Sequence, residues 1–279
     1  MLARRFLRFV PLLTMMLLLF ACSPERRLAN MFVKTQHPVA VMFLTPDFSY
    51  RYSFKVPDIE NFDSLPAAVQ DSLLYYNSGL IQYLNDSILI TGYLNGMSSG
   101  LKALGLNVFP SGAAEQFVNS GSEALIVNLV QLQLEEFYDS ISDEASFGEE
   151  ELYNYDLFIT AVNINSWFEV SGFNQNDTAT RVLFASQTIT DYFEGGFRYF
   201  PFTGDVKYSY IIDSLDSDDF YREIRNIGLL YSGYLYDYLM NDYIRKNLPD
   251  GAEAAQLYTF DRYSGVVRKN KGQGFTRLN

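Results

Sequence analysis

The sequence predicts an α+β fold, an α/β sandwich in which a mixed, largely antiparallel sheet of about five strands is packed by two or three helices. Three observations support this class. A continuous apolar run at 39–44 is typical of a buried strand, three long segments of alternating polarity follow it, and a long amphipathic helix comes near the C-terminus.

The N-terminal half alternates short strands with helices. After the strand at 39–44, aromatic and polar residues alternate over 48–56 and predict a second strand. One helix is predicted from Ser64 to about Asn85, because Ser64 can cap it and a proline follows in its first turn. A second helix begins with Asp86 as its cap and ends at Gly105, and 106–110 forms a short strand.

Glycines lie at a spacing of four within that second helix, at Gly92, Gly96 and Gly100. Each costs a helix about 1 kcal/mol relative to alanine, so three in register indicate a surface that another element approaches closely. Packing on the protein's own sheet is favoured over a groove for a partner.

The C-terminal half begins with a predicted antiparallel meander. Its strands cover 124–138, 155–170 and 181–193. An acidic loop at 142–151 and an Asn- and Gly-rich loop at 171–180 are expected to connect them.

The meander is followed by a strand, the long helix and a hairpin. The strand covers 207–212, and the helix covers 218–247 with acidic residues in its first turn and basic residues in its last, as the helix dipole favours. A hairpin about Ser264-Gly265 occupies 258–267. We expect one domain over 38–268 and a flexible basic tail over 269–279.

The first residues have the pattern of a secretory signal. Three arginines within 1–8 precede an apolar core at 10–21, which is too short to span a bilayer because spanning takes about 20 apolar residues. A small residue, Ala21, lies just before Cys22. We therefore expect a signal peptide at 1–21 and a lipidated tether at 22–37.

Leu19-Phe20-Ala21-Cys22 resembles the bacterial lipobox, although Phe20 is bulkier than is usual there. The resemblance implies that Cys22 is acylated on sulfur and anchors the protein to a membrane. Ser23 after the cysteine implies the outer membrane, and the single glutamate followed by two arginines favours a periplasm-facing position over surface display. The alternative is an ordinary secreted protein with an incidental cysteine.

Composition excludes two classes of protein. The formal net charge of −12 becomes −15 once Arg4, Arg5 and Arg8 are removed with the signal peptide. So acidic a domain would repel nucleic acid, which is therefore rejected as a partner. A hydrophobic content of 48%, with 16% aromatic residues, supplies a core and rules out wholesale disorder.

The residues for several kinds of catalysis are missing. His37 is the only histidine and Cys22 the only cysteine, so Ser-His-Asp, Cys-His and zinc sites are not expected. No catalytic residue, metal or cofactor is assigned, and the protein is expected not to be an enzyme. A carboxylate pair of the glycosidase kind is the remaining option, and a solvated acidic surface is the favoured interpretation of its candidates. These are Glu135, Glu136, Asp156, Glu169 and Asp191.

A short motif of Asp, then Ser or Thr, then an apolar residue recurs along the chain. It resembles the periplasmic O-glycosylation site of Bacteroidota-type bacteria, and Thr178 within Asp177-Thr178-Ala179 is the best candidate. The competing interpretation is that these pairs cap helices and end strands, as at Ser64 and Asp86.

The order of elements resembles the small α/β domains of Bacteroidota-type envelope lipoproteins. Similar patterns occur in curli-secretion-type and penicillin-binding-protein-activator lipoproteins and in auxiliary lipoproteins of lipid-transport ABC systems. The resemblance implies a non-enzymatic accessory or scaffold that binds an envelope protein. The alternative is a glycan-binding or glycan-active lipoprotein with a carboxylate pair. Aromatic residues at 48–54 and 197–202 are candidates for the contact surface, although a core-filling role is favoured for them.

Overall fold

A mixed sheet of seven strands forms the centre of the molecule and confirms the predicted α+β class. The computed structural model describes residues 23–35, 39–120, 123–147, 150–173, 179–249 and 251–278. Cys22, His37 and Thr178 lie outside these described residues.

Five helices and eleven strands occupy the described residues. The helices are α1 (Pro24–Thr35), α2 (Ala67–Tyr76), α3 (Asp86–Ala103), α4 (Ala114–Val118) and α5 (Ser217–Asn247). The strands are β1 (Val39–Leu44), β2 (Tyr50–Ser53), β3 (Asn107–Phe109), β4 (Glu123–Phe147), β5 (Glu150–Phe173), β6 (Arg181–Thr190), β7 (Tyr192–Phe200), β8 (Asp205–Asp213), β9 (Tyr258–Asp261), β10 (Val266–Lys269) and β11 (Thr276–Leu278).

The main sheet combines a parallel part with the predicted antiparallel meander. Its order is β11-β6-β5-β4-β1-β3, and β2 pairs with the second half of β4. Strand β1 runs parallel to β3 and β4, whereas β4, β5, β6 and β11 are antiparallel. The apolar run of β1 suits this place because both faces of a parallel strand are buried.

Helices α3 and α5 cover one face of the sheet and form most of the core with it. They cross at the glycines, where the nearest neighbours of Gly96 and Gly100 belong to α5, and Gly228 of α5 meets Tyr93 and Met97 of α3. The close packing expected of these glycines is therefore present at Gly96 and Gly100 but not at Gly92, and the partner is a helix and not the sheet. None of the described helices is both long enough and apolar enough to cross a membrane.

Residues 24–35, expected to be part of a tether, form helix α1 and pack on α5. Ala29 and Phe32 are buried, and the Phe32 ring lies 5.4 Å from the Tyr236 ring. The expected flexible tail is also partly ordered, because 276–278 form β11 and pair with β6. Neither 24–35 nor 276–278 is apolar enough for its sequence alone to predict that it packs on the domain. Their contacts are with residues that are distant in the sequence.

The loop predicted at 142–151 is wrong, because β4 and β5 continue through most of it as a long hairpin. A second hairpin, β7–β8, lies against it through aromatic rings. The Tyr155 ring centre is 5.1 Å from those of both Phe197 and Tyr208. The acidic composition of this segment fits its exposure, because most of its described side chains are exposed to solvent.

The helix predicted over 64–85 is also shorter than expected. Helix α2 ends at Tyr76, and a short 3-10 turn at Ile81–Tyr83 precedes α3. Asn85, not Asp86, caps α3, with its side-chain oxygen accepting a hydrogen bond from the Ile88 backbone N–H at 3.2 Å. The Asp86 carboxylate instead pairs with Arg51 at 2.7 Å and accepts hydrogen bonds from Ser49.

Candidate functional site

The aromatic side chains of residues 48–54, here called the β2 segment, lie on the face of the sheet opposite α3 and α5. The register pairs Arg51 with Leu134 and Ser53 with Glu136, which point toward the helices. Because successive side chains of a strand point to opposite faces, Tyr50 and Tyr52 point away from them. The core-filling role favoured for this segment is therefore wrong, and its aromatic residues are 40–58% exposed: Phe48, Tyr50, Tyr52 and Phe54.

The second aromatic segment, 197–202, is also not a core element. Phe202 is fully exposed in the turn between β7 and β8, and Phe200 is 39% exposed. Phe197 is half-buried between the two hairpins, where it packs on Tyr155. Tyr199 is also half-buried, with its ring centre 6.5 Å from that of Tyr153 on β5. This segment therefore packs two rings between the hairpins and leaves two at the surface.

Polar side chains continue the β2 surface across the sheet. Two rows run from β2 through β4 and β5 to β6, with neighbouring strands about 4.8 Å apart. The rows are Tyr50–Gln133–Asn165–Ser186 and Tyr52–Glu135–Asn163–Thr188.

Hydrogen bonds hold these polar side chains in place. Gln131 donates to Gln133 at 2.7 Å, and Gln133 donates to Glu135 at 2.6 Å. Thr188 donates to Asn163 at 2.6 Å. Because these five side chains are positioned by their neighbours, they present a fixed pattern of donors and acceptors.

Two further aromatic rings border the rows on β5 and β6. Trp167 and Phe184 are half-buried, with ring centres 4.9 Å apart. In the register, Trp167 is paired with Gln131 on β4 and with Phe184 on β6. We define the open face as the β2-segment aromatics, the two rows and this border: Phe48, Tyr50, Tyr52, Phe54, Gln131, Gln133, Glu135, Asn163, Asn165, Trp167, Phe184, Ser186 and Thr188. Glu135 is the only charged member of this set.

Two of the five candidate carboxylates are occupied by internal contacts. Glu136 is fully buried and pairs with Lys55 at 2.6 Å. Asp191 is also buried, and it accepts hydrogen bonds from the backbone N–H groups of Thr160 at 2.7 Å and Leu215 at 2.8 Å. Both carboxylates therefore hold the fold together.

The other three candidates do not form a pair. Glu135 is opposite Asn163 in the ladder, and Glu169 lies further along the same strand, β5. Six residues of strand separate those two positions by about 20 Å, far beyond the 5 to 9 Å that glycoside hydrolysis uses. Asp156 is bonded to Ser142 at 2.5 Å on the exposed hairpin.

The Glu136 carboxylate has a complete set of partners. It accepts hydrogen bonds from the backbone N–H groups of Gly79 at 2.7 Å, Leu80 at 3.0 Å and Ile81 at 2.9 Å. Burial alone would raise the pKa of Glu136, but the Lys55 ammonium and these N–H groups outweigh it and lower the pKa. Lys55 also donates to Thr160 at 3.0 Å, so the cluster joins β2, β4, β5 and the loop before α3.

A groove of about 750 Å³ opens where β6 ends beside the first turns of α5. Gln187 and Ile189 line one wall, and Arg222, Glu223 and Asn226 line the other. Arg222 is paired with Asp219 on the same helix. Among the described residues, no group of three or more His, Cys, Asp or Glu side chains could hold a metal ion.

A second groove, of about 470 Å³, lies between α5 and the β9–β10 hairpin, and Asp237 lines it. Burial raises the pKa of Asp237 to about 7, although a hydrogen bond from the Phe260 N–H opposes the rise. At neutral pH this carboxyl group therefore titrates.

Replacement of Asp237 by asparagine is expected to stabilise the protein at pH 8 and to change little at pH 4. A carboxyl whose pKa rises on folding, from 3.8 to about 7, makes the native state less stable as the pH increases through that window. Asp237 should contribute up to about 1.4 kcal/mol per pH unit to the slope of the free energy of unfolding against pH, and this contribution should be absent from the variant. Urea unfolding at several pH values measures it, and parallel curves for both proteins would contradict the assignment.

Part of the open face can be read from the alternation of polar and apolar residues over 131–135, which indicates that Gln131, Gln133 and Glu135 share one face of the strand. Sequence reasoning missed Trp167, which alternates with Phe168 on β5 and could have been assigned to the outward face by the same rule. It also missed the pairing of Lys55 with Glu136, for which the sequence holds no local signal.

The chain matches no family model, no curated protein and no solved structure. The geometry of the open face and the sequence features are therefore the basis for assigning a function.

Proposed function

We propose that this protein is a lipid-anchored component of the cell envelope that acts without catalysis, by binding an envelope protein on its open face. Acylated Cys22 supplies the anchor, and the domain faces the periplasm from the outer membrane. One observation carries the binding part of the proposal: exposed aromatic rings border the two polar rows of the open face, in which Glu135 is the only charged residue.

This composition resembles the centre of a protein–protein interface. Aromatic residues are enriched and charged residues depleted in such centres, where truncation of a few Tyr and Trp side chains removes most of the binding energy. Tyr50, Tyr52 and Phe54 already stand on a rigid sheet, so little conformational entropy is lost when a partner covers them.

A glycan is the second candidate ligand, favoured by the rows of amides beside aromatic rings. Gln131, Gln133 and Asn163 offer donors and acceptors for hydroxyl groups, and Trp167 offers an apolar ring surface. We propose that the glycan would be bound and not hydrolysed, because the candidate carboxylates form no pair.

Removal of three rings of the β2 segment is expected to abolish partner binding while the protein stays folded and anchored. The variant is Tyr50→Ala/Tyr52→Ala/Phe54→Ala, and crosslinking in intact cells with mass-spectrometric detection is the measurement. Loss of each anchoring ring should cost about 1–2 kcal/mol, so crosslinking should fall more than tenfold.

The matched control removes exposed rings elsewhere, with Tyr76→Ala/Tyr83→Ala, which are 74% and 70% exposed. Equal crosslinking yields from both variants would contradict the assignment of the open face. A pull-down with an insoluble envelope polysaccharide distinguishes the two ligands. If the wild-type protein and the Tyr76/Tyr83 control bind the polysaccharide and the β2-segment variant does not, a glycan is favoured over a protein as the ligand.

The anchor has its own test, Cys22→Ser. We expect the wild-type protein to incorporate radiolabelled palmitate and to stay with membranes in high salt, because two or more acyl chains hold a protein stably. The variant should incorporate no palmitate and should be released from membranes by high salt. A variant that stays equally firmly in the membrane fraction would refute the lipid anchor.

A further inference from the structure

The two ends of the chain meet on one side of the domain. The Ser23 and Tyr258 hydroxyl groups are hydrogen-bonded at 2.7 Å, and the Ala255 N–H donates to Glu25 at 3.4 Å. Helix α1 also contacts β10. The residue that directly follows Cys22 is therefore fixed beside the β9–β10 hairpin.

Charge is divided unevenly between this side and the rest of the chain. Residues 23–35 hold three Lys or Arg and one acidic residue, and residues 251–279 hold five and two. Residues 36–250 hold ten Lys or Arg and thirty acidic residues. Two positive segments at opposite ends of an acidic sequence are thus brought together by folding.

The side chains exposed here combine cations with apolar groups. Tyr263, in the β9–β10 turn, is 91% exposed, with the Arg262 guanidinium 5.4 Å from its ring centre, and Leu257 is 51% exposed. We define the anchor face as these residues together with four other exposed cations of the two end segments: Arg26, Arg27, Leu257, Arg262, Tyr263, Lys269 and Lys271. Tyrosine, arginine and lysine are the residues that proteins place at the headgroup level of a bilayer.

We infer that the anchor face lies against the anionic headgroups of the membrane that holds the protein. The inference rests on the proposed acylation of Cys22 for its orientation, because that anchor begins one residue before the fixed Ser23. Its cations attract anionic lipid, whereas the remainder of the domain is repelled by it. The lipid and the anchor face together hold the domain in one orientation, without a flexible tether.

Vesicle binding by the mature chain, residues 22–279 with Cys22→Ser, tests the anchor face without a lipid anchor. Every packing contact described above lies within 23–278, so this chain retains the fold. Phosphatidylglycerol-containing vesicles are compared with pure phosphatidylcholine at two salt concentrations. We expect binding to the anionic vesicles only, weakened by salt because the attraction is screened.

Two quadruple variants with the same charge change make the test specific. Arg27→Gln/Arg262→Gln/Lys269→Gln/Lys271→Gln should lower the vesicle affinity at least about tenfold. The control, Lys102→Gln/Arg198→Gln/Lys207→Gln/Arg225→Gln, should keep or raise it, and circular dichroism should show both folded. Equal losses in both variants, or binding that ignores anionic lipid, would overturn the inference.

These outcomes are separate from the fate of the lipid anchor. If Cys22 incorporates no palmitate but the anionic vesicles still bind, the anchor fails and the anchor face stands as a peripheral membrane surface. If palmitate is incorporated and the vesicles do not discriminate, the anchor stands and the anchor face is refuted.

Discussion

Replacement of Glu136 by alanine is expected to lower the free energy of unfolding by about 3–5 kcal/mol, since it leaves the buried Lys55 ammonium without its counterion. Three backbone N–H groups, at 79–81, lose their acceptor at the same time. Unpaired buried donors each add to the loss, because they have given up water without gaining a partner. The urea midpoint, with the slope of the transition as a check on two-state behaviour, measures the change.

The double variant Lys55→Met/Glu136→Gln separates charge from hydrogen bonding. It removes both charges and keeps an amide oxygen for the N–H groups of Leu80 and Ile81, so it should recover part of the loss. Glu135→Ala, one residue away on the open face, is the matched control and should change stability by less than about 0.5 kcal/mol. A loss below about 1 kcal/mol for Glu136→Ala would show that the ion pair is not buried as described.

The Glu136 contribution also depends on pH. Its pKa is lowered from 4.5 on folding, so the stabilisation is complete above the ordinary glutamate pKa and is lost as the pH falls below it. Acid should therefore reduce the difference between the wild-type protein and Glu136→Ala.

Substitution of Gly96 by alanine is expected to destabilise the protein by about 3 kcal/mol or more, the upper end of the cost of overpacking. A Cβ atom at this position would overlap the Arg225 carbonyl oxygen and reach 3.0 Å from the Leu229 nitrogen. Both are backbone atoms of α5, so the two helices would have to separate along their whole contact. Thermal unfolding followed by circular dichroism measures the effect.

Gly92 on the same helix supplies the control. The nearest atoms to a Cβ there are Ile224 Cγ2 at 3.8 Å and the Tyr221 oxygen at 3.9 Å, which is ordinary contact. Gly92→Ala should therefore stabilise the protein by up to about 1 kcal/mol, the helix propensity difference. The two substitutions should change the stability in opposite directions, because only Gly96 lies where α3 crosses α5. Changes in the same direction would contradict this geometry of the crossing.

Local patterns predicted many of the elements of this protein. The apolar run at 39–44 and the long amphipathic α5 appear in the structure close to their predicted bounds, and the three strands of the meander appear in the predicted order. These elements are set by repeats of two or 3.6 residues, which a short window of sequence contains in full. The extension of β4 and β5 through an acidic segment was not predicted, because that hairpin has few buried side chains to produce a pattern.

The open face shows where such patterns stop. Alternation at 48–56 indicated that one set of side chains faces away from the other, but not which set faces the helices. The pairing of Arg51 with Leu134 and of Lys55 with Glu136 decided this, and both partners are far away along the chain. Aromatic residues usually fill cores, so composition alone favoured the wrong face.

The sequence by itself determined the signal-like N-terminus, the acidic charge, the scarcity of His and Cys, and the types of the main elements, since each depends on residues that are neighbours in the chain. Only the tertiary structure decided that α3 crosses α5 at Gly96, that Glu136 meets Lys55, and that Ser23 lies beside Tyr258. These contacts depend on how strands register and helices pack over long sequence separations. The arrangement of strands and helices minimises the free energy of the whole domain, and it cannot be deduced from any one local segment.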